Sequence, residues 1–596
     1  MSKPPARHAK ADKPPRIGRR NFLKGVPAAV AAVGPLASGF TSPAEAGDPA
    51  AAVGAAPGLQ ESSGLRQESL RSAQELSGLH FTDAETAMAL SGVSRNRDSF
   101  EALRRLDIPL DTEPAIAFHP YLPGERPKGR STRNASLRIA QRSVRVTSRL
   151  EDLAYEPVTV LSGLVRRRRV TSMELTKMYL ARLERYGDAL HCVVTLTGDL
   201  ALAQAAKADR DLKAGRYHGA LHGIPWGAKD LFATKGIRTT WGAAPYANQV
   251  IDTDATVVER LRDAGAVLVA KLSMGSLAQG GVWFGGTTRN PWNAETGSSG
   301  SSAGSCAATA AGLVGFALGT ETRGSIITPA SLCGVVGLRP TYGRVSRYGA
   351  MALSWTMDKI GPICRGVEDC ALIFNAIYGA DGRDETVVDA PFVWAPNSAL
   401  RRLRIGYVAA EFARGLGNSN GDSTLLNDVL AVLTKAGAKL VPIDMPDFPT
   451  EAINFILATE AAAAFDDLTR SRGIDQLTEQ APDAWPNTFR TCRFIPAVEY
   501  IRAQRARTLL ARKMAAIMTE VDVFLSPARG SASLPITNLT GHPAVCLKSG
   551  FINGMPQSVM VTGRLYEEAT ILRVALAYER ATSWHSMHPD LGKLRS

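Results

Sequence analysis

Gly297-Ser298-Ser299-Gly300-Ser301-Ser302-Ala303-Gly304-Ser305, with Gly319-Thr320-Glu321-Thr322-Arg323-Gly324-Ser325-Ile326 close behind it, is the stretch on which the reading of this chain turns. Alone, the first run has three readings. A flexible linker would be out of place between a strand and a small-residue helix of a globular core. A phosphate cradle would use exposed N–H groups at a helix start, but the Gly-Lys-Ser/Thr ending of a Walker loop is missing. A nucleophile elbow, Gly-x-Ser-x-Gly, fits Gly300-Ser301-Ser302-Ala303-Gly304 with Ser302 at its centre. That match is weak in so Gly- and Ser-rich a run. It would also require a downstream acid and histidine, and only His542, His585 and His588 follow.

The second segment narrows the choice. Ser325 follows Thr322-Arg323-Gly324, a turn whose backbone N–H groups could converge on a developing oxyanion. Upstream, Gly223-Ile224-Pro225-Trp226-Gly227-Ala228-Lys229-Asp230 sets a lysine in an apolar, tightly turned stretch. A surface lysine near pKa ~10.4 is protonated and no base. An apolar closed pocket lowers that value toward neutrality. The bland reading is a snorkelling strand-end lysine, and Lys271 shares the ambiguity. Nucleophile, relay and base are thus available without histidine.

In order and spacing these segments resemble the amidase signature family. Ser301 and Ser325 lie 24 residues apart, the separation of that family's two catalytic serines. The resemblance includes Asn290-Pro291-Trp292, continues from Pro329 through Arg339-Pro340-Thr341-Tyr342-Gly343 to Ser346, and covers roughly 150–590. It implies a Ser–cis-Ser–Lys triad. Ser325 would be the acyl-forming nucleophile, and Ser301 the relay, joined to Gly300 by a cis peptide. Lys229 would be the base, with the N–H groups of Thr322, Arg323, Gly324 and Ser325 as oxyanion hole. Arg323 stands where Gly is commoner, and Ala303 replaces a Gly; backbone donors survive both changes. The implied fold is α/β, one large domain with a mixed, twisted central sheet covered by helices on both faces. The implied reaction is hydrolysis of a small-molecule carboxylic amide, anilide or carbamate, with no metal and no organic cofactor. Two alternatives stand beside it: the A subunit of a glutamyl-tRNA amidotransferase, which residues 335–362 resemble, and a catalytically inactive amidase-like binding protein.

Composition sets the limits. The chain has 596 residues, 45% hydrophobic and 21% charged, as in a soluble globular protein. Of the +13 formal charge, +6 falls in residues 1–46, leaving too little elsewhere to read as nucleic-acid binding. Those 46 residues read as a twin-arginine export signal. A basic region leads to Arg19-Arg20-Asn21-Phe22-Leu23-Lys24, then an Ala-rich stretch from Val26 to Ala37, then a small-x-small cleavage site, Ala44-Glu45-Ala46. Gly18 stands where that motif usually has Ser or Thr. The expected destination is periplasmic or secreted, which argues against the amidotransferase. No later segment has 18 unbroken apolar residues, so stable membrane insertion after signal removal is not expected. Seven scattered cysteines without a CxxC read as buried free thiols. A homo-oligomer is left open.

The expected organisation is signal 1–46, a flexible leader and helical extension over 47–145, and a catalytic domain over 146–596. Residues 60–145 are expected to wrap the core. Thr171-Ser172-Met173-Glu174 predicts a capping box, with Leu175, Met178, Tyr179, Leu183 and Tyr186 on the buried face. The Arg166–Arg169 run before it reads as a solvated helix end rather than an anion site. The pattern predicts helices over 257–264, 307–313 and 423–436, and strands over 266–270, 335–338 and 404–408. Residues 450–520 read as helix-rich, and the 440–510 region as the shaper of the substrate pockets.

Overall fold

The short apolar runs become strands and the 3.6-period stretches become helices, in alternation. The structure, a computed structural model, describes residues 65–76, 83, 86, 87, 116, 149–415, 422–481, 483–492 and 495–595, all within one compact unit, Leu65–Ser596. Eleven strands form one sheet. In chain order they are β1 Val193–Leu196, β2 Pro225–Lys229, β3 Val267–Leu272, β4 Phe316–Glu321, β5 Val336–Arg339 and β6 Lys359–Cys364, then β7 Arg404–Val408, β8 Lys439–Ile443, β9 Val523–Pro527, β10 Ala544–Ile552 and β11 Met555–Gly563. Their spatial order is β1-β3-β2-β4-β6-β5-β10-β11-β9-β7-β8. The β3-β2-β4 and β9-β7-β8 groups are parallel, and the strands between and at the β1 edge run antiparallel. This is the expected mixed α/β sheet.

Both faces are covered, as strand alternation requires. Along β3, Leu268 packs into one apolar cluster, with Trp226, Phe316 and Phe374. Its neighbours Val267 and Val269 pack into the opposite one, with Ala308, Ala330 and Ile363. On β4, Phe316 and Leu318 face the first cluster and Ala317 the second. A third cluster lies under the 450–520 helices, where Ile456, Leu510 and Met514 meet Phe524.

The capping box is present: the Thr171 hydroxyl accepts from Glu174 N at 3.1 Å, and the Glu174 carboxylate accepts from Thr171 N at 2.8 Å. It opens the helix Ser172–Leu190, whose predicted apolar face is buried. Arg166–Arg169 are all exposed, a solvated helix end. Strands and helices fall within two residues of most expected bounds, with one clear exception. The helix predicted over 307–313 spans Ala303–Ala310 and starts directly after Ser302. Gly304 sits against Ser273 N and the Cys192 carbonyl, at 2.5 and 2.6 Å from where a Cβ would stand, so small residues there serve close packing and not a loop. The chain leaves the helix through Gly312, at φ +63°, before the predicted end.

Within 47–145 the described residues form a helix, Gln67–Leu76, and Arg71 pairs with Asp83 at 2.6 Å. The leader 1–46, the segment 47–64, nearly all of 77–148 and hence the wrapping role of 60–145 and the boundary at 145–146 lie outside the described residues. None of the seven cysteines is joined in a disulfide, and six of them are buried. No described helix is long and apolar enough to cross a membrane, and no metal-ligand cluster occurs among the described residues.

Candidate active site

Parallel β2 and β4 end side by side, so Lys229 at the close of β2 and Thr320-Glu321 at the close of β4 share one edge of the sheet. Such carboxyl ends are where α/β sheets form their ligand crevices. Antiparallel β6 starts at the same edge, with Lys359 opposite Glu321.

Lys229 is completely buried. Its Nζ lies 2.8 Å from Ser301 Oγ, 3.1 Å from Ser302 Oγ and 2.8 Å from Thr320 Oγ1. Burial drives its pKa down from 10.5 to about 7, against the opposing pull of Asp358 and Glu321. All three acceptors are neutral hydroxyls. An ammonium can donate to all three; a neutral amine donates to two and accepts from the third. The Ser302 hydroxyl is committed elsewhere, donating to the Thr320 carbonyl at 3.1 Å and accepting from Thr320 N at 3.2 Å. Ser301 and Thr320 are the hydroxyls left to donate back to the amine.

Ser302 is therefore fully buried and bound on several sides, the opposite of an exposed elbow nucleophile. Gly300 and Ser301 are joined by a cis peptide. A Cβ on Gly300 would stand 1.7 Å from the Gly280 carbonyl oxygen, which admits only glycine there. Ser302 N donates to the Ser325 carbonyl at 3.1 Å, which ties the Gly/Ser run to the turn that follows β4.

That turn is anchored from within. The Glu321 carboxylate accepts from Ile326 N and Ile327 N, each at 2.8 Å, and from Asn538 Nδ2 at 2.8 Å. It also forms a 2.8 Å ion pair with Arg339, both side chains fully buried. Burial alone would raise the pKa of Glu321, but Arg339 and these amide donors hold it below the ordinary value. The Thr322 hydroxyl donates to Asp358 Oδ1 at 2.6 Å, and Lys359 Nζ donates to the Thr322 carbonyl at 3.3 Å. Asp358 in turn accepts from Leu353 N and Ser354 N. Gly324 has φ +138°, a conformation side-chain-bearing residues rarely adopt. In contrast with Ile326 and Ile327, the N–H groups of Arg323, Gly324 and Ser325 carry no hydrogen bond among the described residues. They are donors available to an oxyanion. Ser325 is half-buried beside them.

The structure thus brings together Lys229, Ser301 and the Thr322–Ser325 turn. The other two bases considered are placed otherwise. Lys271 forms a fully buried ion pair with Asp230 at 3.1 Å. The His542 ring, bonded to the Thr540 hydroxyl at 2.8 Å, is pushed by burial to a pKa of about 3. Sequence reasoning gave no role to Thr320 or Glu321, although both lie in the quoted segment. It also missed Asp358 and Lys359, which reach the turn only through the β4–β6 pairing.

Beside Thr320 and Thr322 opens a cleft whose lining includes Leu231, Met351, Leu353 and Ile360, together with Asp358, Arg383, Arg347 and Asp384. Those last two are paired at 3.0 Å.

The family model described as Amidase matches residues 174–572. The A subunit of the glutamyl-tRNA(Gln) amidotransferase of Roseiflexus sp. (strain RS-1) is 36% identical over 467 residues, 71% of this chain and 95% of that protein. Its counterpart of the same name from Methylococcus capsulatus is 36% identical over 475 residues, 72% of this chain and 97% of its own. Among solved structures, the native peptide amidase from Stenotrophomonas maltophilia superposes with a TM-score of 0.65 at 29% identity, covering 74% of this chain and 99% of that one. A bacterial aryl acylamidase of the amidase signature family shares the fold, with a TM-score of 0.66 at 23% identity over 72% of this chain and 97% of its own.

Proposed function

The chain belongs to the amidase family and is an enzyme of the amide C–N cleaving class, and on that premise we propose that it acts through an acyl-enzyme on Ser325, with Ser301 as proton relay and Lys229 as base. The observation that carries the proposal is the buried Lys229 amine, near neutrality and touching only hydroxyl groups. With that amine neutral, Ser301 passes it the proton of Ser325 as Ser325 attacks the carbonyl. The N–H groups of the Thr322–Ser325 turn receive the oxyanion. The protonated relay then protonates the leaving amine, and water deacylates the serine by the reverse path. The acyl group leaves on water if the enzyme is a hydrolase, and the substrate is a small-molecule amide.

Two readings share this chemistry. The name borne by the relatives favours the A subunit of a glutamyl-tRNA(Gln) amidotransferase over a free-standing amidohydrolase. On the other side stand features of this chain that the relatives leave out. About a quarter of its length lies outside those alignments, although they cover 95% or more of the relatives. The first 46 residues carry the basic, Arg19-Arg20-bearing leader, which supports export in folded form by the twin-arginine route to the periplasm or beyond.

The test uses the purified chain against a panel of amides, anilides and esters, L-glutamine included, with no tRNA and no second protein. Release of amine or ammonia from several substrates supports the hydrolase. Glutamine hydrolysis confined to mixtures that hold a partner protein and tRNA supports the amidotransferase. Silence in both settings overturns the assignment of Ser325, Ser301 and Lys229.

A further inference from the structure

On the turn that follows β4, the Arg323 side chain makes no hydrogen bond or ion pair among the described residues. Glu321 is locked by Arg339, Asn538 and two backbone N–H groups, and Thr322 by Asp358. Arg323 between them is exposed, and no carboxylate, hydroxyl or carbonyl among the described residues takes its guanidinium. The arginines that brace the surrounding framework behave differently. Arg339 is paired with Glu321, Arg347 with Asp384 and Arg344 with Glu568, while Arg365 and Arg507 are bonded to backbone carbonyls. These five arginines brace the framework through their bonds; Arg323, on the turn that carries Ser325, makes none among the described residues.

Its position gives it a use. Two residues of chain span at most about 7 Å, so the Arg323 and Ser325 Cα atoms are no further apart than that. Ser325 is half-buried and Arg323 exposed, so solvent reaches both the nucleophile and the arginine. Thr322 is drawn inward by Asp358, and the next residue leaves the turn toward water. The adjoining cleft offers a different chemistry: Leu231, Met351, Leu353 and Ile360 line it, and its two arginines are already paired, Arg347 with Asp384 and Arg383 with Glu259.

We propose that Arg323 binds a carboxylate carried by the substrate close to its scissile bond, while the cleft takes an apolar group. The substrate class is an amide that is apolar on one side and anionic on the other. A guanidinium matches a carboxylate with two parallel N–H donors, which gives orientation as well as attraction. The inference rests on the reading of Ser325 as an amide-cleaving nucleophile and adds which amides it selects.

The test compares two para-nitroanilides of similar shape, that of succinic acid, which is anionic, and that of levulinic acid, which is neutral. It reads kcat/KM in the parent, and calorimetric affinity for both compounds in Ser325→Ala. The expected preference for the anionic compound is about tenfold in both quantities. Arg323→Ala should bring the ratio close to one, and Arg323→Glu should invert it. Arg323→Lys should keep part of it, because a point charge remains without the planar fork. Salt at ~1 M should shrink the parent's ratio, since the group is exposed. A ratio near one in the parent, or one that Arg323→Ala leaves unchanged, overturns the inference. No turnover of either compound, with anion-dependent binding intact, counts against the amide-cleaving reading and leaves the role of Arg323 standing.

Discussion

The acid limb of the pH profile should belong to Lys229. Its amine has lost all contact with water and meets only hydroxyls, and burial moves its pKa from 10.5 to about 7. At 1.36 kcal/mol per pH unit, this is a bias of about 5 kcal/mol toward the neutral amine. The neutral form is the one that accepts a proton, so kcat/KM should rise with pH through about 7. Roughly a tenth of the enzyme is competent one unit below the midpoint and roughly nine tenths one unit above. Folding stability should follow the same sign. The unfolded lysine keeps its proton up to about 10.5 and the folded one releases it near 7, so stability rises with pH between the two. The assay is kcat/KM for whichever amide is turned over, from about pH 5 to about pH 10 at constant ionic strength. Lys229→Ala should lose about 10²–10⁴ in rate and the limb with it. Lys229→Arg should be silent throughout, because a guanidinium does not deprotonate in this range. A midpoint above about 9 would mean a solvated lysine in the working enzyme and would refute the desolvation argument. A limb that survives Lys229→Ala would give the role of base to another group.

Ser325→Ala should abolish turnover with the fold intact; activity within about tenfold of the parent would return the nucleophile to Ser302. Ser302→Ala strips Thr320 N of its acceptor and should cost about 1–3 kcal/mol in denaturant unfolding, and an unchanged midpoint would count against that bond. Arg339→Met leaves Glu321 charged, buried and short of its partner, and should lower stability by about 3–5 kcal/mol together with activity, read by thermal unfolding and by kcat. Replacing Arg19 and Arg20 by Lys-Lys should hold the precursor in the cytoplasm; mature protein found outside the inner membrane would sink the twin-arginine assignment.

Much of the fold was legible because its signals are local. The Thr171–Glu174 box is a four-residue motif, and the strand at 404–408 is a short alternating run bounded by arginines and a helix, so both appear where expected. The Gly/Ser run misled at its end because small residues have two uses that a sequence does not separate. At 303–310 they let a helix approach Ser273 and Cys192, and only the spatial neighbour reveals it. The same limit hid the support of the site. Lys229, Ser301 and Ser325 were found because they lie in quotable motifs. Asp358 and Lys359 were not, because they reach Thr322 only when β6 pairs antiparallel with β4.

The buried lysines make the point sharper. Lys229, Lys271 and Lys359 all sit on strands, and burial lowers the pKa of each. Lys271 faces a carboxylate, Asp230, at 3.1 Å, and an ammonium so paired gives up its proton at the cost of leaving that charge bare. Lys359 donates to the Thr322 and Met357 carbonyls, which can accept hydrogen bonds but cannot return a proton to the amine. Lys229 alone among these three is surrounded by hydroxyls, which accept from an ammonium and donate to an amine with equal ease. Both protonation states of Lys229 are therefore satisfied in one geometry, and a proton can pass without rearrangement of the site. Depressed pKa is common to the three; the chemistry of the partner is what separates a base from a brace. For Lys229 and Lys271 the hydroxyl partners lie between 32 and 91 residues away in sequence, Thr239 being the nearest for Lys271 and Thr320 the farthest for Lys229, which is why no reading of Gly-Ile-Pro-Trp-Gly-Ala-Lys by itself could choose between them.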